Sequence, residues 1–145
     1  MNSDPTLWAI DPGPHTGLAI RRHGAYATAM YLDTEVHKLY MMLVEQPPDG
    51  VAVELFATGG RVDQYMLRTV EIVGGVKALC VVARIPMHGH RPQERLSYLS
   101  EVKHQLQYRS NQPTDDRTQH ELDAMAHLMR LEDTLHIPHL ARSAA

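Results

Sequence analysis

The stretch LWAIDPGPHTGLAI, Leu7 to Ile20, decides how this chain is read. Leu7, Trp8, Ala9 and Ile10 are apolar without a break, as in a strand covered on both faces. Asp11 closes the run, and Pro12-Gly13-Pro14 turns the chain at once. Apolar sequence resumes at Gly17-Leu18-Ala19-Ile20. A core strand thus delivers a carboxylate to the point where it leaves the core. Asp-Pro-Gly is also good turn chemistry, so Asp11 taken alone has a plain structural reading as well.

Working outward, the first strand covers about 7–11 and the second about 17–22. Arg22-His23-Gly24 reads as a turn and AYATAMYL, 25–32, as a third strand, which makes an antiparallel start. Thr34 then resembles a helix N-cap, with Val36, Leu39, Tyr40 and Leu43 at helical spacing. QPPDG ends that helix, and VAVEL, 51–55, is a short parallel-type strand. After the loop FATGGRVD, a long helix runs to Arg84. Gly74-Gly75 inside it implies either close packing or a bend. IPMHG, 85–89, gives a short last strand. RPQERLSYLSEVKHQL, 91–106, reads as a helix with Pro92 in its first turn and Leu96, Leu99, Val102 and Leu106 on one face. RSNQPTDDRTQ is a polar loop, and HELDAMAHLMRLEDTL, 120–135, the last helix. The order β-β-β-α-β-α-β-α-α predicts an α/β fold. Its sheet is mixed, with three antiparallel strands first and parallel strands after, and helices cover both faces. Residues 1–145 read as one domain, with 138–145 a frayed tail.

Composition narrows the function classes. The chain has 145 residues, 43% of them hydrophobic, enough for one core. No apolar run is long enough to span a bilayer, and MNSDP does not open a secretory signal, so the expectation is a soluble cytoplasmic protein with no membrane partner. The single cysteine, Cys80, lies in an apolar run and reads as a core residue. Net charge is -3, which does not announce a nucleic-acid binder. Between Arg84 and Arg109, however, Arg84, Arg91, Arg95, Lys103 and Arg109 face only Glu94 and Glu101, and His88, His90 and His104 add partial charge. This makes a candidate basic patch.

The element order locates the acids. Asp11 and Glu54 end two strands that, if parallel and adjacent, open at the same sheet edge, where α/β sheets place their sites. Asp123 falls in the first turn of the last helix, and His120 shares its face. Plainer readings exist for each: a sheet-edge position for Glu54, a favourable helix dipole for Asp123, a cap for His120. Together, with one imidazole beside them, the three carboxylates would repel one another and raise one another's pKa unless a cation intervened. Oxygen ligands favour magnesium or manganese.

IDPGPHTGLAI, VAVELF and HELDAMAHL, in that order, resemble the RuvC-type Holliday-junction resolvases of the ribonuclease-H-like superfamily. The resemblance covers about Leu7 to Leu131. It implies a dimeric, metal-dependent endonuclease that nicks opposed strands of a four-way DNA junction. It also implies Asp11, Glu54, His120 and Asp123 as catalytic and metal-ligating residues for two Mg2+ or Mn2+ ions. The segment between Gly17 and Glu54 is short for that family, which suggests a compact, phage-type version. His127 stands where the family has a small apolar residue. For DNA, Phe56 and Tyr65 are candidate wedges beside Arg61, with Arg91, Arg95 and Lys103 on phosphates. Competing expectations are a ribosomal-RNA-processing nuclease of the YqgF type, an actin- or sugar-kinase-like ATPase, whose second phosphate loop is not found, and a junction-binding module without catalysis.

Overall fold

The computed structural model describes residues 4–55, 63–105 and 116–140. Its sheet has five strands in the order β3-β2-β1-β4-β5. They are β1 (Leu7–Asp11), β2 (His15–Arg22), β3 (Ala25–Leu32), β4 (Gly50–Glu54) and β5 (Met87–His90). β1, β2 and β3 pair antiparallel, while β1, β4 and β5 run parallel. This is the mixed sheet that the sequence predicts. The β2–β3 hairpin turns on His23 and Gly24, both with positive φ, as a tight two-residue turn requires.

The helices are α1 (Val36–Glu45), α2 (Gln64–Ala83), α3 (Leu99–Gln105) and α4 (Asp116–Thr134). Alternation along the strands sends side chains to two cores. Trp8, Ile10, Leu18, Val51 and Val53 meet Leu39 and Leu43 of α1 and Ile72, Val76 and Cys80 of α2. Leu7, Ala9, Ala19 and Ala52 meet Leu122, Met125 and Met129 of α4 on the other face. Small residues on this second face let α4 lie close to the sheet. Gly75 has a similar use in α2: a Cβ there would come 2.7 Å from the Tyr40 hydroxyl of α1, so Gly75 serves close packing, whereas Gly74 faces open space.

Several boundaries differ from the sequence reading. β2 begins at His15, because Thr16 closes the preceding turn: its hydroxyl donates to the Gly13 carbonyl at 3.0 Å. Thr34 lies inside a 3-10 turn, Asp33–Glu35, and α1 starts after it. Pro92–Tyr98 is also 3-10, which rotates Leu96 off the buried face to 61% exposure. α4 starts at Asp116, before the predicted first turn at His120. Pro138, His139 and Leu140, expected to fray, are held instead. Arg21 donates to the Pro138 carbonyl at 2.6 Å, His139 pairs with Glu132 at 3.0 Å, and the Leu140 N–H donates to Tyr26 at 2.9 Å. Among the described residues no helix is long and apolar enough to cross a membrane.

Candidate active site

Strand alternation assigns each acid its direction. On β1, Leu7 and Ala9 face α4, so Asp11 does too. On β4, Ala52 faces α4, and Glu54 follows it. Ile10 pairs with Val53, so the next residues on the two parallel strands, Asp11 and Glu54, end side by side. Glu54 in turn pairs with His90, the last residue of β5. Three adjacent strand ends thus carry a carboxylate, a carboxylate and an imidazole beneath α4. Glu54 does not sit on an edge strand, since β4 lies between β1 and β5.

Gly17 sets the height of α4 above this edge. It pairs with Asp11 across β1 and β2. A Cβ at Gly17 would fall 2.1 Å from the His120 carbonyl oxygen, so only glycine admits the α4 backbone here. That approach brings His120 Nδ1 to 2.7 Å from Asp11 Oδ2. The turn after β1 is closed by Thr16, and the Asp11 side chain is engaged with α4. Asp123, also on α4, lies well inside the helix, so neither it nor His120 is a cap.

His120, Asp123 and His127 follow one another at three- and four-residue spacing, on one face of α4. His127 Nε2 lies 2.7 Å from Glu54 Oε2, and His127 Nδ1 lies 3.2 Å from His90 Nδ1. Arg95 enters from the 3-10 segment. Its Nε is 3.2 Å from Asp123 Oδ1, its Nη1 is 3.8 Å from Glu54 Oε2, and that Nη1 also donates to the Pro92 carbonyl at 2.7 Å. The buried Nε is not aligned for a hydrogen bond, so its contact with Asp123 is one of charge alone. Gln119 donates to Asp123 Oδ1 at 2.9 Å.

Asp11 is 5% exposed. Burial pushes its carboxyl up to about 6; Glu54 and Asp123 add to the rise, and the His120 hydrogen bond opposes it. His90 is driven the other way, to about 4, chiefly by burial and then by His127. A buried carboxylate raised by two other carboxylates is a donor set suited to a hard divalent cation. Among the described residues, though, no three such side chains surround a common point as they stand. His120, His127 and Arg95 instead occupy the carboxylates. The donor chemistry fits a metal, and Arg95 is the cation now standing between Glu54 and Asp123.

Of the other predicted residues, Tyr65 is exposed in the first turn of α2 and lines a depression with Pro14, Gln64 and Arg68. Arg91 is exposed at the start of the 3-10 segment, and Lys103 is half-buried on α3. Phe56 and Arg61 lie outside the described residues. The sequence reading gave His127 no role and counted His90 only as partial charge in a basic patch. His127 had one available signal, its position one turn beyond Asp123 on the face that carries the site.

The chain is similar to three solved resolvases. The RuvC of Thermus thermophilus in complex with a Holliday junction shares 17% identity, covers 90% of this chain and 96% of its own, and superposes with a TM-score of 0.65. The fowlpox virus resolvase bound to Holliday-junction DNA gives 10% identity, 90% and 98% coverage and a TM-score of 0.62. The yeast mitochondrial Holliday-junction resolvase Ydc2 gives 12%, 90% and 80%, and 0.63. No protein-family model and no curated protein sequence matches the chain. The fold is therefore RuvC-like, within the ribonuclease-H-like class.

Proposed function

We propose that this chain is a divalent-metal-dependent endonuclease that cuts branched DNA, four-way junctions foremost, as a homodimer. The observation that carries this reading is the convergence of Asp11, Glu54 and Asp123 from two parallel strand ends and α4. The likeness to three junction resolvases supports the choice of substrate. A protein that only bound DNA would gain nothing from acids turned toward phosphate.

Phosphodiester hydrolysis needs an attacking water, shielding of the phosphate charge and stabilisation of the leaving 3′-oxygen. Asp11, Glu54, Asp123 and His120 would hold two Mg2+ or Mn2+ ions, which supply these three services when bound. The chain's own groups prepare the place. Burial keeps bulk water from Asp11, and His120 fixes the direction of its Oδ2. Arg95 offsets Glu54 and Asp123 while the acids stand alone, and an arriving phosphate gives its guanidinium a further anion to bind. Tyr65 and Arg91 are exposed and free of the core, which suits contact with DNA.

The deciding experiment compares labelled four-way junction, fork, flap, duplex and RNA substrates in Mg2+ or Mn2+, with Asp11→Asn as control. Cleavage of the junction by the parent alone supports the reading. Preferential cleavage of RNA supports the ribosomal-RNA-processing alternative, and junction binding without cleavage supports the binding module.

A further inference from the structure

We infer that His127 and His90 are positioning residues for Glu54, a two-imidazole chain that aims its carboxylate; the role rests on the nuclease reading. His127 is fully buried and His90 nearly so. Burying two polar rings is costly unless they are hydrogen-bonded, and an apolar side chain at position 127, like the buried Met125, Leu128 and Leu131 of the same helix, would avoid that cost. The rings are bonded, and the chain they form ends on Glu54: His90 Nδ1 to His127 Nδ1 at 3.2 Å, then His127 Nε2 to Glu54 Oε2 at 2.7 Å.

The chemistry of the acceptors orders the protons. An ionised carboxylate only accepts, so His127 donates through Nε2–H. With both rings neutral, His127 Nδ1 then accepts, and His90 must donate through Nδ1–H. β5 fixes His90 by pairing it with Glu54, and α4 fixes His127 one turn beyond Asp123. The site carboxylate is thereby tied to both a strand and a helix. Outer partners of this kind hold ligands in direction, and their loss weakens metal affinity about 10- to 100-fold.

The test uses the intact protein with His127→Leu, His127→Gln and His90→Leu. Mn2+ binding is measured by calorimetry without DNA, cleavage as kcat, junction affinity without metal, and ring tautomers by long-range 1H–15N NMR. His127→Leu should melt as a folded protein and bind junction like the parent. Its Mn2+ affinity should fall about 10- to 100-fold, with kcat falling alongside. His127→Gln, which keeps an amide donor for Glu54, should regain most of both. His90→Leu should show a smaller loss of the same kind. The parent spectrum should show His127 protonated on Nε2 and His90 on Nδ1. A folded His127→Leu protein that binds Mn2+ and cuts like the parent overturns the positioning role alone. Should His127→Leu not fold, His90→Leu decides: parent-like Mn2+ affinity in it overturns the role. If the parent itself neither binds Mn2+ nor cuts any branched DNA, the nuclease reading fails first and the positioning role falls with it.

Discussion

Asp11 keeps a carboxylate where water barely reaches, and this has a measurable effect on stability. The ordinary aspartate value is 3.8, and in the fold the carboxyl titrates at about 6. Between those values the folded chain holds a proton that the unfolded chain has lost. Stability therefore falls as pH rises through this window and stays lowered above it. Two units correspond to a penalty on the order of 3 kcal/mol. Asp11→Asn should accordingly be more stable than the parent at pH 8 in a chelator, with the gap closing as pH approaches 4. Urea unfolding at the two pH values measures it, and an equal gap at both would remove the burial argument. Adding Mn2+ should raise the melting temperature of the parent and leave the variant almost unmoved. In cleavage assays Asp11→Asn, Glu54→Gln and Asp123→Asn should each abolish turnover and spare junction binding. Near-parent turnover in any one takes that residue out of the site. His120 adds a nitrogen to an oxygen set, so activity should be higher in Mn2+ than in Mg2+. His120→Asp should narrow that difference while keeping metal dependence; equal rates in both metals for the parent would count against His120 as a ligand.

The meeting of β2 with α4 is the element-scale constraint on the site. The His120 backbone rests on Gly17, so Gly17→Ala must push α4 away from the strand that carries Asp11. Overpacking of this sort costs about 1–3 kcal/mol. The predicted variant folds with reduced stability and loses much of its metal affinity, because Asp11 and Glu54 stay on the sheet while His120 and Asp123 move. Parent-like metal affinity in a folded Gly17→Ala protein would show that the height of α4 does not matter. This contact also marks how far the sequence could be read. Continuous apolar runs at 7–10 and 51–53, each ending in an acid, made both strands and their shared edge legible, since parallel buried strands need no other signal. The start of α4 was not legible, because its first turn is written in polar residues that equally suit a loop. Arg95 reads in the sequence as a phosphate contact, and its place between Glu54 and Asp123 is not legible there, because a 3-10 turn changes the direction of every side chain after Pro92 and leaves no periodic trace. His90 was hidden for a different reason: its partner is 37 residues away on another element.

At the scale of the whole molecule, two regions away from the acids carry their own consequences. Buried Arg21 and Glu132, with half-buried Tyr26 and exposed Asp4, form a polar cluster that ties the end of α4 to the sheet. Glu132→Leu would leave Arg21 buried without its inner partner, at a cost of about 3–5 kcal/mol. Denaturant titration should show that loss, and a stability equal to the parent would mean Asp4 alone suffices. The second region is the outer face of α2. Thr69, Ile72, Val76 and Cys80 face the core, as an ordinary surface helix requires. Yet Leu67, Val70, Gly74, Ala78 and Val81, spaced by three and four, form an apolar stripe on the opposite face, and Val81 is 71% exposed. The stripe runs between exposed Glu71 and Lys77, and a contiguous exposed apolar strip of this kind, rimmed by charge, calls for a cover. The proposed substrate suggests which: a four-way junction has two-fold symmetry and needs two nicks, which a two-fold pair of identical chains supplies. The expected result is a dimer by sedimentation in the parent and a monomer in Val70→Glu/Val81→Glu, with the acids untouched. That monomer should still melt cooperatively and bind Mn2+ like the parent. On a junction carried in a supercoiled plasmid, the parent should yield linear product from paired cuts, and the variant should stop at single nicks. A parent that sediments as a monomer yet makes paired cuts would overturn the α2 interface and the dimer together.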